Sequence, residues 1–167
     1  MIHNWHISSD GKPAAIRLVL FDFRRAFDLI DHNILVCKLS DYDIPNHIWI
    51  TDFLLDRRQI VKLAQDCFSE WRYVPAGVPQ GKRLGPWLLI IMINDLNAGE
   101  ADMWKYVGTK ISEVVDKGLE SYVQQVVDDL AIQARDDGFQ SNERKCKEHK
   151  ISFARNEPEF DPICVSG

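Results

Sequence analysis

Leu18–His32 reads LVLFDFRRAFDLIDH, an apolar run closed by one carboxylate, Asp22. Val19, Leu20 and Phe21 are β-branched, aliphatic and aromatic in turn, the composition of a short buried strand. Beyond Ala26 the apolar spacing changes to three and four through Phe27, Ile30, Ile34, Leu35 and Leu39, which predicts a helix ending near Asp41–Asp43. An acid at a strand end, just before the chain reverses into a helix, is placed to hold a metal ion at a rim; taken alone it is more often the solvated terminator of a strand. Asp28 and Asp31 read as acids of the helix start.

Pro45 opens a further helix with apolar Ile48, Ile50, Phe53, Leu54 and Leu55, and Asp56-Arg57-Arg58 stand at its exit. Ile60–Leu63 and Trp71–Val74, separated by AQDCFSE, read as the two strands of one hairpin. The hairpin leads into GVPQGKRLGP, Gly77–Pro86. There Gly77 and Gly81 permit close approach and unusual backbone angles, Gln80 offers a two-sided amide, and Pro79 and Pro86 set direction. An apolar helix follows from about Leu84 to Leu96. Val115, Leu119, Val123, Val126 and Leu130 recur at helical spacing from Ser112 to about Arg135, so Asp128 and Asp129 fall on a solvated face and Gly138 stops the helix. Lys150–Ala154 alternates around Ile151 and Phe153, the pattern of a strand at a sheet edge.

LFDFRRAFDLIDHNIL and, further on, GVPQGKRLGP resemble in order and spacing the reverse-transcriptase domain of non-LTR (LINE-like) retrotransposons. MINDL, DMWKYV, NERKCKEHKISFAR and NEPEFDPI extend the likeness over nearly the whole chain. The resemblance implies nucleotidyl transfer by an RNA-directed DNA polymerase, with an RNA template, a DNA primer and Mg2+. It makes Asp22 the catalytic, metal-binding carboxylate, with Phe23 among the substrate-facing positions beside it. Phe27 becomes the aromatic under the sugar that discriminates against a 2′-hydroxyl, Gln80 and Gly81 face the template and nascent pair, and Lys145 matches the family's lysine before a palm strand. By residue chemistry alone Phe27 also reads as a core aromatic starting a helix and Gln80-Gly81 as a plain strand-to-helix loop, and a charged turn is the commoner reading of Lys145. Lys82 departs from the Ser or Thr the family carries after the second glycine.

A polymerase of this kind needs two or three carboxylates converging on two Mg2+ ions, which activate the attacking hydroxyl and neutralise charge on the phosphates. The family supplies a pair from a tight hairpin, typically KYVDDTTISE; this chain reads KYVGTKISE. Lys105, Tyr106 and Val107 are in register and Ile111-Ser112-Glu113 resume it, so Gly108 replaces the Asp-Asp pair with one residue lost. The expectation is an inactive site that does not bind Mg2+ tightly and engages template and primer weakly at best. The alternative is a decayed, non-enzymatic fragment with weak nucleic-acid or protein binding.

Composition bounds the rest. At 167 residues, 46% hydrophobic and 27% charged, the chain is long enough for one domain with a single core. A net charge of −5 argues against a strong duplex binder, which usually carries a basic patch. Cys37, Cys67, Cys146 and Cys164 show neither a CxxC pair nor zinc spacing, and no secretory leader is evident; they read as reduced thiols of an intracellular protein of cytoplasm or nucleus. The apolar run Trp87–Ile93 is far short of the roughly 20 residues that span a bilayer. The expected architecture is α+β: a palm-like antiparallel sheet of the Asp22 strand, the Trp104–Tyr106 hairpin and the Ile151 strand, with helices on one face. It would cover 16–157, between a frayed segment 1–15 and a tail 158–167. With only 21 residues before Asp22 and so short a tail, fingers and thumb are expected to be largely missing.

Overall fold

The computed structural model of the protein describes residues 15–45, 47–81, 83–99, 101–105, 108–116, 119–152 and 159–165. The expectations for residues 1–14, Lys82, Tyr106-Val107, Phe153-Ala154 at the end of the last strand and residues 155–158 lie outside them. In chain order the elements are β1 (Ala15–Phe21), α1 (His32–Asp41), α2 (His47–Leu54), β2 (Arg58–Gln59), β3 (Lys62–Ala64), β4 (Cys67–Phe68), β5 (Arg72–Tyr73), α3 (Leu84–Met92), β6 (Asp102–Lys105), β7 (Thr109–Val115), α4 (Val123–Asp136) and β8 (Lys147–Ser152). The fold is α+β. Two compact units divide it, one of Met1–Arg24 with Asp95–Gly167 and the other of Arg25–Asn94.

The first unit holds a four-stranded antiparallel sheet in the order β6-β7-β1-β8. The three strands expected from the sequence all lie in it. Central β1 is buried along most of its length, with Ile16, Val19 and Phe21 in the core, because strands pair on both its edges. Its register runs from Ala15 opposite Val115 to Phe21 opposite Thr109 on one side, and from Ala15 opposite Ser152 to Leu20 opposite Lys147 on the other. β7 and β8 therefore run the same way on either side of β1, joined through α4 in a split β-α-β arrangement.

On α4, Val123, Val126, Val127, Leu130, Ala131 and Ala134 are buried on one stripe, while Asp128 and Asp129 are exposed on the other, as the spacing predicts. The helix does not reach back to Ser112, however. Thr109–Val115 is strand, with Ile111, Ser112 and Glu113 all buried between β6 and β1; sheet pairing overrides the helical spacing that Val115 shares with Leu119. The helix ends through Gly138, φ +81, where Gly138 N–H donates to Arg135 O (2.9 Å) and Phe139 N–H to Ala134 O (2.8 Å), returning Phe139 to the core.

One end of this sheet is held by charge. Buried Arg17 donates from Nε to Glu148 Oε1 (2.7 Å), from Nη1 to Ser121 Oγ (2.9 Å) and from Nη2 to the Asp161 carbonyl (2.9 Å), and stacks over Phe160. Its cross-strand neighbour Glu113, also buried, accepts from Ser121 Oγ and from Tyr122 N–H. Buried ions survive only when so fully partnered.

In the second unit α1 begins at His32, later than the spacing from Phe27 implies. Asp31 is its N-cap, accepting from Asn33 N–H (2.7 Å) and Ile34 N–H (3.2 Å), and Phe27 lies in the preceding turn. Buried Lys38 donates to the Met92 carbonyl at 2.7 Å, which supplies the end of α3 with a cation. That helix stops at Met92, four residues before Leu96. The single expected hairpin is two nested ladders: β3 pairs with β4 around a tight turn at Gln65-Asp66, and β2 pairs with β5. Cys67-Phe68, assigned to a connecting loop, is thus a strand, and Arg72-Tyr73 pairs with Arg58-Gln59 instead of Ile60–Leu63. The close turn satisfies the nearest backbone groups first, at least loop-closure cost.

Candidate functional site

In the first unit, Asp22 stands where β1 ends, half-buried and tied to a turn that precedes β8. Asn142 N–H donates to the Asp22 carbonyl (2.8 Å) and Asn142 Nδ2 to its Oδ2 (2.9 Å). Asp22 N–H donates to Cys146 Sγ at 3.3 Å. The turn is closed by Lys145 and Cys146 N–H groups on the Asn142 carbonyl, both at 2.9 Å. Burial pushes the Cys146 thiol above its ordinary pKa, and the carboxylates of Asp22 and Glu143 push in the same direction.

Gly108 is the other half of this arrangement. Because Phe21 pairs with Thr109, the residue before Thr109 is carried to the end of β1: a Cβ built on Gly108 would lie 3.3 Å from the Phe21 carbonyl and 3.9 Å from Asp22 Oδ1. A side chain at position 108 would abut the Asp22 carboxylate. Phe23, one residue beyond Asp22, faces the core, 5% exposed, with its ring 5.4 Å from Phe21 and 5.1 Å from Phe139. Lys145 is exposed in the Asn142 turn.

In the second unit the Gly77 loop is stitched to the turn after Ala26. Gly77 N–H donates to Ile30 O (2.8 Å), Val78 N–H to Phe27 O (2.7 Å) and His32 Nε2 to Gly77 O (2.8 Å). Gly77 has φ +84, and a Cβ there would lie 2.7 Å from Phe27 O, so only glycine makes this contact. Phe27 and Gln80, distant in sequence, thereby line one cleft of about 510 Å3 together with Asp28, Arg57, Val74 and the Gly77–Pro79 backbone. Gly81, φ +80, is exposed just past the lining.

A family model described as "Reverse transcriptase (RNA-dependent DNA polymerase)" matches residues 7–155. The chain belongs to the reverse transcriptase family. A Drosophila melanogaster protein named "Probable RNA-directed DNA polymerase from transposon BS" is 35% identical over 79 residues, a stretch covering 47% of this chain and 9% of that protein. The resemblance to a retrotransposon reverse-transcriptase domain is thus borne out, and the family's substrates are RNA and DNA.

Within this reverse-transcriptase domain, the residues that sequence reasoning missed are the partners. Asn142 and Cys146 hold Asp22, and Arg57 and Asp28 line the cleft of Phe27 and Gln80. Asn142 lies 120 positions from Asp22, so no local pattern could signal it. Among the described residues no group of three or more His, Cys, Asp or Glu side chains is arranged to hold a metal ion, and no helix is long and apolar enough to cross a membrane.

Proposed function

We propose that this reverse-transcriptase domain is the palm of a non-LTR retrotransposon polymerase whose catalytic centre has lost its acid pair, leaving a weak nucleic-acid-binding domain that does not polymerise. The supporting observation is Gly108: the position that would set an acid against Asp22 carries no side chain, while the strand register that presents it is intact. Two Mg2+ ions about 4 Å apart need several anionic oxygens from the protein. Here Asp22 offers one carboxylate, with one oxygen already accepting from Asn142 and a protonated thiol for its nearest sulfur neighbour. These residues do not fit the two-metal site of the family, and no catalytic step is assigned to them. Phe27 and Gln80, in the cleft of the other unit, retain the family's positions for engaging the nucleotide and template.

The test is primer extension of oligo(dT) on poly(rA) with Mg2+ and with Mn2+, beside calorimetric titration of Mg2+. No extension is expected, and no saturable Mg2+ site tighter than millimolar. Template-dependent extension, or a micromolar site lost in Asp22→Ala, would overturn the reading. Gly108→Asp should add measurable Mg2+ affinity, since Gly108 lies outside the left-handed region and its Cβ would point 3.9 Å from Asp22 Oδ1.

A further inference from the structure

In the cleft of the second unit a buried donor atom lacks an acceptor. Arg57 Nη1 is buried from solvent and has no hydrogen-bond partner among the described residues. A guanidinium presents five donors in a fixed fork, and a buried donor without an acceptor has given up its water for nothing in return. Such an atom in a cleft of about 510 Å3 marks a place for an acceptor that arrives from outside. The guanidinium lies over the Phe53 ring at 5.8 Å, a contact that supplies no hydrogen-bond acceptor, and Asp28, which lines the same cleft, forms no ion pair with it, so Nη1 is left with its donor unused.

We infer that Arg57 is the seat of a backbone phosphate of single-stranded nucleic acid. The inference rests on the nucleic-acid-binding reading above but concerns a residue outside the positions that the family resemblance carries. Its ligand is a polymer because the cationic track continues beyond the cleft. Arg57 leads directly into the β2–β5 ladder, where Arg58 stacks over Tyr73 at 4.5 Å, Arg72 stands opposite Gln59, and all four residues are exposed. Lys62 lies over Phe68 at 5.6 Å on the nested ladder. Alternating cations and exposed rings suit successive phosphates and bases, since bases stack on aromatic faces without regard to sequence. A mononucleotide would fill the cleft and leave this track unused.

Fluorescence-anisotropy titration of the full chain with a labelled oligo(dU), from low to physiological salt, tests it. Arg57→Gln should weaken binding about tenfold and lower the salt slope by about 0.7, the loss of one single-strand phosphate contact. Asp28→Asn, at an exposed position, should strengthen binding a few-fold by removing a carboxylate that lines the cleft, and it remains informative even if Arg57→Gln fails to fold. A millimolar mononucleoside triphosphate should not displace the oligomer. Unchanged affinity and slope in Arg57→Gln, or an unaffected Asp28→Asn, would overturn the phosphate seat, and displacement by the mononucleotide would overturn its assignment to a polymer backbone, each leaving the nucleic-acid reading standing. Absence of any binding by the wild-type chain at low salt would overturn both.

Discussion

Single residues carry the sharpest consequences. Gly77 combines φ +84 with backbone atoms 2.7–2.8 Å from any Cβ, so Gly77→Ala adds left-handed strain to a clash with carbonyls that cannot swing away. It should cost about 3 kcal/mol or more, read from the urea midpoint by circular dichroism. Gly138 has a similar φ, +81, but nothing within 4 Å, so Gly138→Ala should cost only about 1 kcal/mol. The contrast separates conformational strain from close approach. Cys146, with its raised pKa, keeps its proton at neutral pH and is part-buried, whereas Cys37, Cys67 and Cys164 are exposed. It should be the slowest of the four to alkylate with iodoacetamide, followed by mass spectrometry; modification ahead of the exposed thiols would contradict its assigned setting. An acid whose folded pKa is raised favours the fold while protonated. Its contribution is therefore present at neutral pH and is lost as pH climbs through the thiol range.

At the scale of the element, the sheet of the first unit depends on Arg17. Arg17→Met leaves the half-buried Glu148 carboxylate unpaired and removes the anchor of the Asp161 carbonyl, and should destabilise by about 3 kcal/mol in urea titration. Arg17→Met with Glu148→Leu should recover most of that loss, because the penalty comes from an unpaired, half-buried charge. Recovery failing altogether would mean that the Ser121 and Asp161 contacts, not the ion pair, hold the edge. On α4 the outcome is opposite. Asp128→Asn with Asp129→Asn, on the exposed face of the helix, should change stability by less than about 0.5 kcal/mol and leave Mg2+ titration unaltered, although the two adjacent acids mimic a catalytic pair in sequence.

The molecule as a whole distributes charge unevenly. The Arg25–Asn94 unit balances eight Lys and Arg against eight Asp and Glu, so the entire excess of five acids lies in the unit that contains Asp22. Nucleic-acid affinity should accordingly reside in the neutral unit and be weak. We expect sequence-independent binding in gel-shift titration at low salt that disappears by physiological salt. Submicromolar affinity for a primer-template at physiological salt would refute this.

What the sequence determined by itself is what local spacing can encode. The apolar run before Asp22, the stripe of α4, the stop at Gly138 and the long motifs around Asp22 and Gly77 were all legible, because periodicity, turn chemistry and motif order are properties of contiguous residues. Pairing was not. Which strand β3 meets, why Ser112–Val115 joins a sheet despite helical spacing, and how Asn142 comes to hold Asp22 depend on backbone hydrogen bonds between distant segments. The replacement of the acid pair by Gly108 could be read from the chain. That Gly108 faces the Asp22 carboxylate, and that Arg57 enters the cleft of Phe27 and Gln80 with an unanswered donor, came only from tertiary structure, because sheet register and loop stitching, not sequence distance, set which side chains meet.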